Sequence, residues 1–464
     1  MIFLRSTIQR TRRLAMSIAL SGPSSVVTAT GYMTILVMLS GCSLRGLVDV
    51  GDDTTGREVD PSVTTTYNGA VAMYYSAIGQ ASYATSLYIL STASMTDELR
   101  SQPHVSTPVY DTREWMLSPS ATEQLFANLS FMRLQSSQAL EALQRFPANS
   151  SRAALGELYG LQGLAELFLA EGYCSGVPLG QAPLGGGFRY EKGLTTQELL
   201  HHAIAMFDSA LMYGRDSLPI ATLARVGQGR AWQNLGDYTK AASAVAELDS
   251  GRYFFNYLPG ADNNVAFFNS APHLISYIEN REGGNGVAWL APTPEQQDPR
   301  LPVTTEQDPT TGELRFLAMA RPIQYTPQTT LVQVASAMEG KLIEAEAQLQ
   351  PPHNPGGPWL ATLNALRRSI GLADTTDPGN ADGRIDLLFR ERAFWLYSTG
   401  HRQGDLRRLI RQYNRTVQTT YPYGEYFSTG GHGVMRYRDL VTMDPGLLEQ
   451  KRNPLYTGCF NRNP

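Results

Sequence analysis

Leu235-Gly236-Asp237-Tyr238, with Ala241 following, constrains this chain more than any other stretch. It lies between two segments of helical period, one over about 221–235 and one over about 238–248, the latter stopping at Ser250-Gly251. A glycine at such a junction permits a tight reversal and an alanine lets the two arms approach. That is the turn of a tetratricopeptide-type helical hairpin. The same period recurs in both directions. Leu155, Leu158, Leu161, Ala165 and Phe168 share one helical face. Gly156, Gly160 and Gly163 lie on that helix despite their low propensity, which predicts a neighbouring helix packed very close. Thr195-Thr196-Gln197-Glu198 reads as a capping box that starts a helix burying Leu199, Ala203, Met206, Phe207 and Ala210. Leu331, Ala335, Met338, Leu342, Ala345 and Leu349 predict one further amphipathic helix, ended by Pro351-Pro352. Helices over 359–370 and 385–398 follow, separated by a turn-rich stretch at 374–383. A full 34-residue period does not recur cleanly, so the repeats are degenerate. The expected fold is mainly α, a scaffold of tetratricopeptide-like hairpins. A long irregular insertion interrupts it at about 251–327, rich in Gly, Pro, Asn and aromatics, where small strands or function are expected.

The first 41 residues carry Arg5, Arg10, Arg12 and Arg13, no acid, and an apolar stretch over about 26–39. Leu39-Ser40-Gly41-Cys42 then matches the bacterial lipobox, whose cysteine receives lipid. These parts predict a lipoprotein signal peptide over 1–41 with lipidation at Cys42. The alternative, a transmembrane anchor, is disfavoured because Thr28, Thr30, Gly31 and Thr34 interrupt the stretch, and a span takes about 20 mostly apolar residues. Residues 42–63 are polar and acidic and read as a flexible tether. Residues 64–464 read as one domain. Subtracting the four signal arginines from the formal net charge of −4 leaves −8. Such a chain has no electrostatic reason to hold nucleic acid, and its contact with a membrane would run through the N-terminal lipid. Besides Cys42 the chain has Cys174 and Cys459, expected either as one disulfide in an oxidising compartment or as two buried thiols.

The order of these pieces resembles the SusD/RagB family of surface nutrient-uptake lipoproteins. The likeness rests on Tyr67-Asn68-Gly69-Ala70, Met95-Thr96-Asp97-Glu98, and the helix that closes on Gly172-Tyr173-Cys174-Ser175-Gly176-Val177-Pro178. It continues through Gly236-Asp237-Tyr238, Glu344-Ala345-Glu346-Ala347 and Asn364-Ala365-Leu366-Arg367. The fullest match is Arg390-Glu391-Arg392-Ala393-Phe394-Trp395 with Gly400-His401-Arg402-Gln403-Gly404-Asp405-Leu406-Arg407-Arg408. The resemblance implies a binding protein, not an enzyme. It would take an oligomeric nutrient, a glycan first and a peptide in the RagB-like branch, and pass it to a TonB-dependent, SusC-like transporter of the outer membrane. Rival readings are a helical-repeat scaffold for envelope assembly, whose concave face grips other proteins, and a lipid-anchored hydrolase.

The segment 390–408 concentrates charge beside aromatics. Glu391, Arg392, Arg402, Asp405 and Arg407 are expected to pair structurally across a helix–turn–helix, since arginines supply no general base. Asp377–Gly383 fails the calcium-loop template, with Pro378 and Phe389 where oxygen ligands are needed. His201 and His202 are adjacent on a helix and point apart, so no metal or cofactor is expected. Carboxylates such as Asp97-Glu98 and Glu279/Glu282 suggest a glycosidase pair only weakly. Tyrosine outnumbers phenylalanine, 23 to 16, which suits surfaces that stack on the C–H face of a sugar while hydrogen-bonding its rim. Tyr110, Arg113 and Trp115, and Asn280, Arg281 and Trp289, are the expected ligand contacts. Phe254, Phe255, Phe267 and Phe268 are expected in the core.

Overall fold

The computed structural model describes residues 65–101, 109–115, 119–256, 276–307, 314–318, 331–350, 357–427 and 434–463. All belong to the compact unit Val59–Pro464. The signal peptide, Cys42, the tether, Tyr257, Phe267 and Phe268 lie outside the described residues. Thirteen helices and ten short strands are present among those described.

The body is a stack of antiparallel helices. Helix α1 (Tyr67–Met95) is followed by the single turn α2 (Val109–Thr112), then by α3 (Pro119–Gln144), α4 (Arg152–Gly172), α5 (Thr196–Gly214), α6 (Leu218–Leu235) and α7 (Tyr238–Val245). Sequence dictates the joints. Thr195 Oγ1 accepts from Glu198 N while Glu198 Oε2 accepts from Thr195 N, the reciprocal capping box. Gly236 ends α6 at φ 78°, and Asp237 caps α7 by accepting from Lys240 N. Ala241 is fully buried at the approach. The glycines of α4 act as expected. A Cβ on Gly156 would lie 2.7 Å from Gly214 N, and the Phe207 ring of α5 sits between Gly163 of α4 and Gly227 of α6. Because a Cβ on Gly227 would fall 2.3 Å from Phe207 Cζ, Gly227→Ala is expected to lose about 1–3 kcal/mol to overpacking. That outweighs the ~1 kcal/mol of helix propensity it gains. A lowered urea midpoint checks it.

The second half repeats the theme with α8 (Ala337–Leu349), α9 (Pro358–Ser369), α10 (Ala381–Trp395) and α11 (Arg402–Tyr413) around Leu342, Trp359, Leu363, Leu388 and Leu406. The short helices α12 (Val417–Thr420) and α13 (Leu447–Arg452) complete the set. One expectation is corrected. Leu331–Ser336 is a strand and not the first turns of α8. Val332 and Val334 point inward in strand alternation, and Ser336 Oγ then accepts from Glu339 N to start the helix.

That strand, β8, pairs antiparallel with β4 (Arg252–Asn256), so the irregular insertion begins and ends on one ribbon. Phe255 is buried there and Phe254 half-buried. Within the insertion, β6 (Val303–Gln307) and β7 (Leu314–Ala318) form a second ribbon, and β5 (Ser276–Tyr277) pairs with β1 (Arg100–Ser101). Strands β2 (Val177–Pro178) and β3 (Gly193–Leu194) close a loop after α4. Strands β9 (Glu425–Phe427) and β10 (Val434–Arg436) form a hairpin in the tail. Cys174 and Cys459 are bonded, Sγ to Sγ 2.01 Å. No described helix is long and apolar enough to cross a membrane.

Candidate functional site

Segments outside the helical repeats converge on one face: 95–101 and 109–115 after α1, 276–301 of the insertion, and 421–427 with 434–438 of the tail. The first loop and the insertion are each tied to the body by a buried charge. Asp97, at the end of α1, accepts Arg402 Nε and Nη2 at 2.7 and 2.9 Å, and also accepts Val287 N of the insertion at 2.7 Å. Gly286 makes this approach feasible, because a Cβ there would lie 2.6 Å from Asp97 Oδ2 and its φ is 87°. Glu391 of α10 holds the other end of the insertion. It accepts Arg300 Nη1 at 2.5 Å and Arg367 Nη1 of α9 at 2.7 Å, while Arg300 also grips Asp298.

Against this frame the tryptophans are corrected from ligand platforms to core. Trp289 is 1% exposed; its Nε1 donates to Asp97 O at 2.6 Å and its ring packs 5.2 Å from Phe394 and 5.3 Å from Tyr397. Trp115 is buried against Tyr110, with its Nε1 donating to Thr442 O. Tyr110 donates to Ala121 O. Arg113, fully buried, spends its guanidinium on the carbonyls of Arg438 and Pro422, stapling the first loop to the tail beneath Tyr421 and Tyr437. Each indole and guanidinium found a backbone acceptor from a distant segment, and burial was thereby satisfied. Asn280 and Arg281 remain exposed. The Asn280 amide bridges both Leu290 N and O and so closes its own loop. Arg281 sits in the left-handed region at φ 51°, uncommon for a residue with a Cβ.

Glu279 and Glu282, read from sequence as a weak glycosidase pair, are joined here by Arg100, Asp111, Tyr423, Tyr426 and Tyr437, which sequence reasoning missed. Arg100 pairs with Glu279 and lies 4.6 Å over the Tyr426 ring. Asp111 accepts Ser101 N and Oγ, each at 2.6 Å, and burial pushes its carboxyl up to about 6 against those hydrogen bonds. Glu282 accepts Tyr437 OH at 2.8 Å; burial, with Asp111 and Glu279 nearby, drives its carboxyl far above the ordinary carboxylate range. Tyr423 is 41% exposed, and its backbone would meet a Cβ on Gly283 at 2.6 Å. The rim of this face is therefore Asn280, Arg281, Tyr423 and Glu425, all exposed. The signal available in sequence was the clustering of Tyr, Arg and Glu at 421–438, which reads simply as an irregular tail.

The expected ion pairs take different partners. Arg392 does bind Asp405 through two bonds of 2.8 Å, and Arg408 adds a third at 2.7 Å. Burial alone would raise Asp405, but those guanidiniums outweigh it and hold the carboxyl below its usual range. Arg402 and Glu391 reach outside the segment, to Asp97 and to Arg300 and Arg367. Arg407 takes no carboxylate: its Nη1 donates to the carbonyls of Ala170 and Glu171 at the end of α4. A cation there complements both the orphan carbonyls and the helix dipole.

Asp97 and Glu98 are each 1% exposed, and Asp97 is spent on Arg402, so that pair is not placed as two reacting carboxylates. Asp377 Oδ1 accepts Gly379 N and Arg384 Nε, a polar turn. His201 packs edge-on to Trp232. Among the described residues no group of three or more His, Cys, Asp or Glu side chains is placed to hold a metal.

No family model matches the sequence, and no curated protein does. The fold is that of the SusD-like proteins. NanU of B. fragilis superposes with a TM-score of 0.58 at 11% identity, covering 88% of this chain and 99% of that one. A SusD-like carbohydrate binding protein from Bacteroides vulgatus gives 0.61 at 13% identity, covering 84% and 97%. A SusD homolog from Bacteroides thetaiotaomicron gives 0.60 at 11%, covering 86% and 98%.

Proposed function

We propose that this chain is a SusD/RagB-family lipoprotein of the outer membrane. It is anchored through lipid on Cys42, faces outward, and binds an oligomeric glycan that it passes to a SusC-like, TonB-dependent transporter. The observation that carries this reading is the match in fold over almost the whole length of solved SusD-like proteins, one of them described as carbohydrate binding. The lipobox at Leu39-Ser40-Gly41-Cys42 supports the anchoring. The rim of Asn280, Arg281, Tyr423 and Glu425 supplies what saccharide capture needs. A half-exposed tyrosine offers a stacking surface, and fixed polar groups around it meet the hydroxyls. The rim does no bond chemistry in this reading. Buried ties at Asp97, Arg113 and Glu391 hold it rigid before ligand arrives, which lowers the ordering cost of binding.

Titrating the mature protein with glycan and peptide libraries tests this. Saccharide binding is expected, with Tyr423→Ala and Arg281→Ala each weakening it about tenfold, roughly 1.4 kcal/mol, and neither lowering the melting temperature. Binding of peptides without saccharides would transfer the ligand to the RagB-like class. Co-purification of an assembly machine and no transporter would favour the scaffold reading.

A further inference from the structure

The face just described rests on a carboxyl group with no charge partner of its own. Glu98 follows Asp97 at the foot of α1, 1% exposed. Its Oε1 accepts Ser398 N at 2.9 Å, and its Oε2 is buried with no hydrogen-bond partner. The Oγ of that same Ser398 is a second buried atom without a partner, and Ser398 is held in the left-handed region at φ 56°. The cations nearby are committed elsewhere. Arg402 is bound at two points to Asp97, and Asp405 of α11 is bound by Arg392 and Arg408. Around Glu98 therefore stand Asp97 on its own segment, Tyr397 just after α10, and Arg402 and Asp405 on α11. A bare carboxylate oxygen buried without a donor is strongly penalised, whereas a carboxylic acid there is neutral and gains a donor of its own.

The position of this carboxyl couples it to the insertion. Tyr397 OH donates to Glu98 O at 3.2 Å, the Tyr397 ring packs on Trp289, and Trp289 donates to the carbonyl of Asp97 next door. Ala93, Leu99, Ile278, Trp289, Leu301 and Tyr397 form one buried cluster with Phe394. Solvating an ionised Glu98 means parting this cluster, in which Ile278, Trp289 and Leu301 are the members that belong to the insertion.

We propose that Glu98 is a proton-operated latch: while neutral it keeps residues 276–301 seated on the helical body, and its ionisation loosens them. Burial, the largest influence, with Asp97 and Asp405 adding and Ser398 N–H and Arg402 opposing, raises the carboxyl from 4.5 to about 8. The sign follows from linkage. A folded-state value above the unfolded one gives stabilisation that is complete below pH 4.5 and lost as pH rises to about 8. The latch is a property of the chain alone and holds whatever the rim binds.

Hydrogen exchange of peptides covering 95–101 and 276–301, corrected for intrinsic rates, tests it between pH 6 and pH 9. In the wild type, protection of these peptides is expected to fall at least tenfold across that range, while α4 and α5 keep theirs. Glu98→Gln, which keeps an acceptor for Ser398 N and cannot ionise, is expected to abolish the fall. Ser398→Gly, which relieves the left-handed strain and leaves Glu98 in place, is expected to retain it. Wild-type protection that does not change with pH overturns the proposal even if Glu98→Gln fails to fold. So does an equal fall in Glu98→Gln.

Discussion

Glu391→Ala is expected to destabilise the folded chain by about 3–5 kcal/mol, the range for removing one member of a buried ion pair. Three guanidiniums surround that carboxylate: Arg300 at 2.5 Å, Arg367 at 2.7 Å and Arg390 at 3.6 Å. The Glu391 side chain is fully buried and that of Arg300 3% exposed, so water cannot replace the lost partner. Arg300 would keep Asp298, while Arg367 would keep only the carbonyl of Ala373. Arg300 is further wedged 5.0 and 5.2 Å over the rings of Phe394 and Trp395 and has no room to swing out. The loss should show as a lowered urea midpoint. The first exchange protection to disappear should be at 298–301, since α10 keeps its own backbone bonds while Arg300 ties the insertion to the body here. Arg368–Asp374 provides the contrast. Both of its side chains are more than half exposed, and Asp374→Ala should barely move the midpoint, as exposed pairs contribute little. If the two variants behave alike, the Glu391 site is solvated and the insertion is held by packing alone.

The difference between those two pairs also marks what sequence could reveal. Local rules carried the helical body. Thr195 and Glu198 cap each other across three residues, Gly236 needs only its own φ, and the stripe from Leu155 to Phe168 is set by period. Such features are written in neighbours. Leu331–Ser336 was misread because leucine and alanine four apart fit a helix, while the decisive signal was the alternation of β-branched Val332 and Val334. The face of converging loops was least legible. Asp97 meets Arg402 across 305 positions, Arg113 meets Arg438 across 325, and Trp289 meets Asp97 across 192. A tryptophan in a stretch rich in glycine and asparagine reads as exposed until an acceptor from another segment is found for its N–H. The same holds for charge: the sequence showed that 390–408 would pair, but not that three of the five named groups would reach outside it.

Cys459→Ser should cost up to about 5 kcal/mol, because the bond to Cys174 closes the longest loop in the molecule and removes its entropy from the unfolded chain. The separation is 285 residues, and the dependence on loop length is logarithmic, so most of this figure is reached by a loop one third as long. Native contacts at the tail are numerous but individually weak. Ser175 and Asn461 share a short bridge, Phe460 N donates to Ser175 O, and Asn453 Nδ2 donates to Glu191 O. Among the large side chains of this segment Tyr456 is buried, while Leu455 and Phe460 are each 52% exposed. Without the cross-link the segment 453–463 should therefore detach ahead of global unfolding. The β2–β3 loop should follow, since Gly176 packs against the backbone of Gly458 and Phe460. Unfolding in urea with and without reductant separates the two effects. Wild type in reductant should fall to the midpoint of Cys459→Ser, and the variant should not respond to reductant at all. A wild type whose midpoint ignores reductant under unfolding conditions would mean that the thiols are not joined, and the tail would then be held by its backbone bridges alone.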